Sequence, residues 1–147
     1  MSRSFDFTSQ PERVCSRKHR LGLRSECPDP DKRDRLQAGA KGWAAAFGMA
    51  VRDFFSHTGA GGSSASQRVS AEGYSWSLVG ENIAAGYDTA AETFATWAAS
   101  PGHRANMLNC AFRQTGIAVV YQADDQPLPA RGWAMHHYWV QTFGSRF

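Results

Sequence analysis

The sequence predicts an α+β domain in which helices pack on an antiparallel sheet. Three observations carry that expectation. Apolar residues of the first half recur at helical spacing, capping signals open further helices, and the last third holds two β-rich runs around a turn-rich connection. Residues 1–147 are read as a single domain of ordinary size, with no internal repeat. With 42% hydrophobic residues, among them five Trp, nine Phe and four Tyr, the chain has the apolar bulk for a core.

Residues 1–11 are polar, end at Pro11 and are read as a loose N-terminal arm, and residues 12–23 as a short helix ending near Gly22. Two prolines make Cys27-Pro28-Asp29-Pro30-Asp31 a turn. A longer helix follows, with Leu36, Ala40, Trp43, Ala44, Phe47, Val51 and Phe54 on one face. Gly39, Gly42 and Gly48 weaken its intrinsic propensity and point to close approach by another element. Its expected stop is Phe55-Ser56-His57-Thr58. The Gly-rich stretch 59–62 that follows lacks the Lys-Ser/Thr ending of a phosphate-binding loop and is read as a turn.

Ser64 and Gln67 stand at capping-box spacing, so residues 64–72 form a short helix stopped by Gly73. Residues 74–86 are short and extended or looped. Thr89 and Glu92 repeat the capping box and open a helix that turns Phe94 and Trp97 inward, which assigns Glu92 to capping. Ser100 as N-cap and Pro101 as first helical residue predict another helix, to about Leu108. Residues 116–121 and 136–143 read as antiparallel strands. Between them, residues 122–132 read as a tolerant surface loop with no residue of chemical role.

The net charge of +3 is uneven. Residues 1–41 hold ten Lys/Arg against six Asp/Glu, and residues 42–147 hold six against seven. Arg13, Arg17, Lys18, Arg20 and Arg24 are read as a solvated helix face, since no aromatic interleaving or nucleic-acid motif accompanies them; nucleic acid is not an expected partner. The longest apolar run, residues 44–51, is too short to span a bilayer and is closed by Arg52-Asp53. The first seven residues lack the apolar core of a signal peptide. Cys15, Cys27 and Cys110 form no Cys-x-x-Cys pair, which disfavours a thiolate metal knuckle and allows one disulfide with one free thiol.

Three segments go beyond pattern: Phe54-Phe55-Ser56-His57-Thr58, Gly80-Glu81-Asn82-Ile83-Ala84-Ala85-Gly86, and Trp97 through Ser100-Pro101-Gly102-His103 to Asn109. With the closing run Tyr138–Gly144, in this order, they resemble the bacterial branch of the CAP superfamily of cysteine-rich secretory, antigen 5 and pathogenesis-related proteins. The resemblance covers residues 36–147 well and residues 12–35 loosely. It implies a three-layer α–β–α sandwich with a central antiparallel sheet, a secreted or cell-surface location, and a cleft of two histidines and two acids that in some members binds a divalent metal. His57, Glu81 and His103 match three of those places. The fourth falls on Ala98-Ala99-Ser100, which holds no acid, so a zinc-like ion is expected to bind weakly, through His57 and His103 with Glu81 orienting. The long helix carries Trp43 and lacks the family's usual His. The resemblance also implies a Cys27–Cys110 disulfide that leaves Cys15 free.

Each site residue also has a residue-level reading. His57 ends a helix, where imidazole can cap the last carbonyls. Glu81 sits among apolar neighbours, and a buried carboxylate needs a partner such as imidazole. His103 falls in the first turn of its helix, where the dipole disfavours imidazolium and keeps the ring neutral; the alternative is a capping hydrogen bond with Ser100. His136 and His137 are neighbours on a strand and point to opposite faces, so at most one approaches a common cleft. His19 is assigned no role. The expected function is a binding module for a small molecule, lipid, glycan or peptide, acting as a monomer. A His/Glu-dependent or metal-assisted hydrolase is the alternative. The sequence holds no Gly-x-Ser-x-Gly elbow or His-Glu-x-x-His helix, and this ranks binding above catalysis.

Overall fold

The computed structural model describes residues 42, 44–128 and 131–147. Residue 42 and residues 44–51 are helical (α1). Then come α2 (Ala65–Ala71), β1 (Leu78–Ala85), α3 (Ala90–Ala99), α4 (Pro101–Leu108), β2 (Gln114–Tyr121) and β3 (His137–Ser145). The arm over 1–11, the helix expected over 12–23, the prolyl turn and the start of the long helix lie outside the described residues.

The strands form one antiparallel sheet in the order β1-β3-β2, so the last strand is central. Its pairing runs from Leu78↔Ser145 to Ala85↔Tyr138 on one side and from Gln114↔Gly144 to Tyr121↔His137 on the other. A central strand covered on both faces reads as a near-continuous apolar run, which is why Tyr138, Trp139, Val140 and Phe143 are all buried. Residues 74–86, ambiguous in sequence, contain the eight-residue strand β1.

Successive residues of a strand face opposite ways, and the two cores follow that rule. Ile83, Tyr138 and Val140 pack against Ala45, Ala46, Met49 and Ala50 of α1. Ala84, Trp139 and Phe143 pack against Trp97 of α3 and Met107 of α4. Helices on both faces make the three-layer α–β–α sandwich that the resemblance implies. The capping boxes at Ser64/Gln67 and Thr89/Glu92 are both formed. The Trp97 indole donates to Ile83 O at 3.1 Å and locks α3 against β1.

Two expectations change. The apolar stripe assigned to the long helix is not its buried side: Phe47 is 42% and Val51 54% exposed, while small residues and Met49 face the sheet. Close approach selects for size here, since a Cβ on Gly42 would meet Val140 O at 3.3 Å and Ala118 Cβ at 3.4 Å. The helix also ends at residue 51 rather than past Phe54, because Asp53 turns to φ 48°.

The connection between β2 and β3 is not a neutral surface loop. Leu128 and Met135 belong to the core. The buried Asp125 carboxylate accepts from Met135 N at 2.7 Å, His136 N at 2.8 Å and Tyr138 OH at 3.0 Å. Composition concealed this, because a turn-rich segment can still be tied down by one buried acid.

Candidate functional site

Glu81 lies on β1, an outer strand of the sheet among the described residues, opposite Thr142. Gly80 precedes it because Phe112 packs there; a Cβ would sit 2.6 Å from the Phe112 ring. The Glu81 side chain is only 5% exposed, and both oxygens are engaged: Oε1 lies 2.9 Å from His57 Nδ1, and Oε2 accepts from Arg68 Nη2 at 2.8 Å. A carboxylate facing an imidazole nitrogen accepts, so Nδ1 of His57 donates. In the neutral ring Nε2 then carries the lone pair. The His57 side chain is 57% exposed.

Arg68 is the residue that sequence reasoning missed. It projects from α2, whose start is set by the Ser64 cap, and is largely buried. Nη1 donates to Ser63 O at 2.7 Å, and Nη2 donates to His57 O at 3.1 Å as well as to Glu81. One guanidinium thus ties both ends of the 57–63 loop to the sheet. The sequence signal was the buried carboxylate itself, which called for a cation, but a spacing of thirteen residues carries no periodicity. Arg68 Nε and Thr142 Oγ1 are buried without a hydrogen-bond partner.

The opposite face of β1 holds α4. Asn82 donates to His103 O at 3.1 Å and lies 3.3 Å from Gln141 Oε1, while Asn106 donates to Asn82 Oδ1 at 2.9 Å. These amides fix α4 against the strand edge. Ser100 is the N-cap residue by backbone position, yet its hydroxyl makes no cap and lies 2.9 Å from His103 Nδ1. The His103 pKa is lowered, first by burial and second by the charge of His57. The structure thus joins His57 to Glu81 directly, whereas His103 sits on the helix across β1 and turns its Nδ1 to Ser100, linked to His57 through charge alone. Burial and a neighbouring imidazole, rather than the helix dipole alone, favour the neutral ring.

His136 and His137 do not join them. They sit at the opposite end of β3 from Thr142, with ring centroids 6.3 and 4.8 Å from the Tyr121 ring. His137 Nδ1 lies 3.3 Å from Asp88 Oδ1 without hydrogen-bond alignment. Cys110 is half-buried just after α4; Cys15 and Cys27, and with them the disulfide reading, lie outside the described residues.

The donors fit a resident divalent metal poorly. Both Glu81 oxygens and the His57 Nδ1 are spent on one another and on Arg68, and His103 Nδ1 is spent on Ser100. Among the described residues no group of three or more His, Cys, Asp or Glu is arranged to hold an ion. Two imidazole Nε2 atoms remain, fewer than the three protein ligands of a catalytic zinc site.

Two solved structures share the fold. One is an extracellular protein containing an SCP domain from Bacillus anthracis str. Ames, 23% identical with a TM-score of 0.60, the match covering 75% of this chain and 32% of that one. The other is an outer surface protein from Borrelia burgdorferi, 18% identical with a TM-score of 0.72, matched over 100% of both chains. The chain spans about a third of the length of the Bacillus protein. No curated protein matches the sequence. The model of the cysteine-rich secretory protein family, CAP, matches residues 32–143, and with most of its length so matched the chain belongs to that family.

Proposed function

We propose that the chain is a binding module that holds a polar group of a small molecule, lipid, glycan or peptide in a cleft formed by His57, Glu81 and His103. The observation that carries this reading is the His57–Glu81 contact of 2.9 Å. A nearly buried carboxylate holds the ring by Nδ1 and leaves Nε2 free to accept from a ligand hydroxyl. His103, whose pKa is lowered by burial first and by His57 second, is the further ring assigned to the cleft.

The same pair has the arrangement of an oriented general base, which is the basis of the hydrolase alternative. Binding ranks first because the sequence supplies no nucleophile motif. A zinc-like ion held weakly would rest on the Nε2 atoms of His57 and His103, with water completing its shell. A secreted or cell-surface location and a monomeric state belong to the same reading. The location draws support from the extracellular Bacillus protein and the Borrelia outer surface protein. Among the described residues no helix is long and apolar enough to cross a membrane.

The test is a screen of hydroxyl-bearing lipids, glycans and peptides by amide and imidazole NMR, on the wild type, His57→Ala and His103→Ala. Binding lost in both variants is the expected result. A ligand that binds both variants as tightly as the wild type sinks the assignment of the cleft.

A further inference from the structure

The buried carboxylate of Glu81 can be compensated in two ways, by a bound cation or by a cationic side chain. Here a side chain does it. Arg68 reaches Oε2 at 2.8 Å from a different element, and the same guanidinium holds His57 O and Ser63 O. His57 takes Oε1. Each carboxylate oxygen already holds a donor, and a second positive charge placed there would meet the guanidinium at close range.

We infer that Arg68 fills the electrostatic place of a metal ion in this cleft. It is the positioning residue that compensates Glu81, fixes His57 by backbone and, through Glu81, by ring, and makes the site independent of divalent cations. The inference deepens the reading of the cleft as a binding site and rests on it. Its ligand-facing consequence is specific: His57 Nε2 remains a hydrogen-bond acceptor rather than a metal ligand. When the ring is neutral, Nε2 takes a group that donates a hydrogen bond, such as an alcohol.

The experiment titrates zinc alone into the wild type, Arg68→Met and Arg68→Lys, with ring-nitrogen NMR of His57 and a thermal melt of each. Arg68→Met unmasks Glu81 beside the His57 imidazole, so its zinc affinity should exceed that of the wild type by about tenfold or more. The His57 population with the proton on Nδ1 should fall in the same variant. Arg68→Lys keeps the charge and should restore both the weak zinc binding and the tautomer. Equal zinc affinity in wild type and Arg68→Met overturns the inference, as does a His57 tautomer that ignores position 68. Should Arg68→Met fail to fold, the wild type and Arg68→Lys still decide. Both must bind zinc weakly with the His57 tautomer unchanged by the ion, and zinc that displaces the Nδ1 proton overturns the inference. Loss of the organic ligand reading would come from the ligand screen and leaves these readouts intact, so the two failures are distinguishable.

Discussion

Glu81 and Asp125 are both nearly buried carboxylates on the same small sheet domain, and they are satisfied in opposite ways. Asp125 receives two backbone N–H groups and a tyrosine hydroxyl, all from residues 135–138. Glu81 receives a guanidinium and an imidazole, brought from α2 and from the loop after α1. The neutral set around Asp125 closes a chain connection and presents no side chain to a ligand. The charged set around Glu81 leaves a half-exposed imidazole with a free nitrogen. Burial alone therefore does not single out a candidate site acid; the exposure of its partner does.

Replacing Asp125 should have the largest effect on stability. Asp125→Ala strands the N–H groups of Met135 and His136 and the Tyr138 hydroxyl, and should cost about 3–5 kcal/mol in urea unfolding. Contacts at His57 should be unchanged in its NMR spectrum. A Gly-Ser replacement of residues 122–132 would remove Asp125 and Leu128 together and should prevent stable folding. If either change is tolerated, the contrast between the two carboxylates collapses.

Glu81→Gln comes next. It leaves Arg68 buried without its counter-charge and should cost about 2–4 kcal/mol, with loss of the fixed His57 ring. Unlike Asp125→Ala, it should abolish ligand binding at residual stability. A Glu81→Gln protein that binds ligand like the wild type would remove Glu81 from the site.

Tyr138→Phe should be milder, about 1–1.5 kcal/mol at neutral pH, since one hydrogen bond to Asp125 is lost. Burial first, and the Asp125 bond second, push the Tyr138 pKa well above its ordinary 10.0. A raised folded pKa means the unfolded chain ionises first. The stability tied to Tyr138 is therefore full below pH 10 and is lost as pH rises beyond it. The Phe variant should lack that alkaline slope in unfolding curves.

The smallest effect concerns His103. With its pKa below 6.5, the unfolded state takes up the proton first, so this contribution is present above pH 6.5 and is lost as pH falls. In an NMR titration, His57→Ala should raise the His103 midpoint part of the way, because burial remains. A midpoint that does not move would separate the two histidines and weaken the shared cleft.

Much of the architecture was legible because it rests on local physics. Ser64/Gln67 and Thr89/Glu92 place helix starts through hydrogen bonds three residues apart. The β-rich run 136–143 announces a strand. Local rules misread α1, where Trp43, Phe47 and Val51 suggested the buried side. Proximity to the sheet instead put Gly42, Ala45, Ala46 and Ala50 there, because only small residues fit at that distance. In the site, His57, Glu81 and His103 stood out within matched segments, although Glu81 proves to lie inside β1 and His57 six residues past α1. Arg68 did not, since its role exists only after α2 docks on β1.

By itself the sequence determined three of the helix starts and stops, the two β-rich strands and their antiparallel pairing, and the residue types of the candidate site. Those follow from periodicity, caps and side-chain chemistry within a few residues. Only the tertiary structure decided that the last strand is central, that Asp125 latches the final connection, and that Arg68 completes the surroundings of Glu81. These are pairings between residues 10–70 positions apart, and no local preference encodes them. They are settled when burial of the strands forces each desolvated carboxylate to find donors among whatever elements pack nearby.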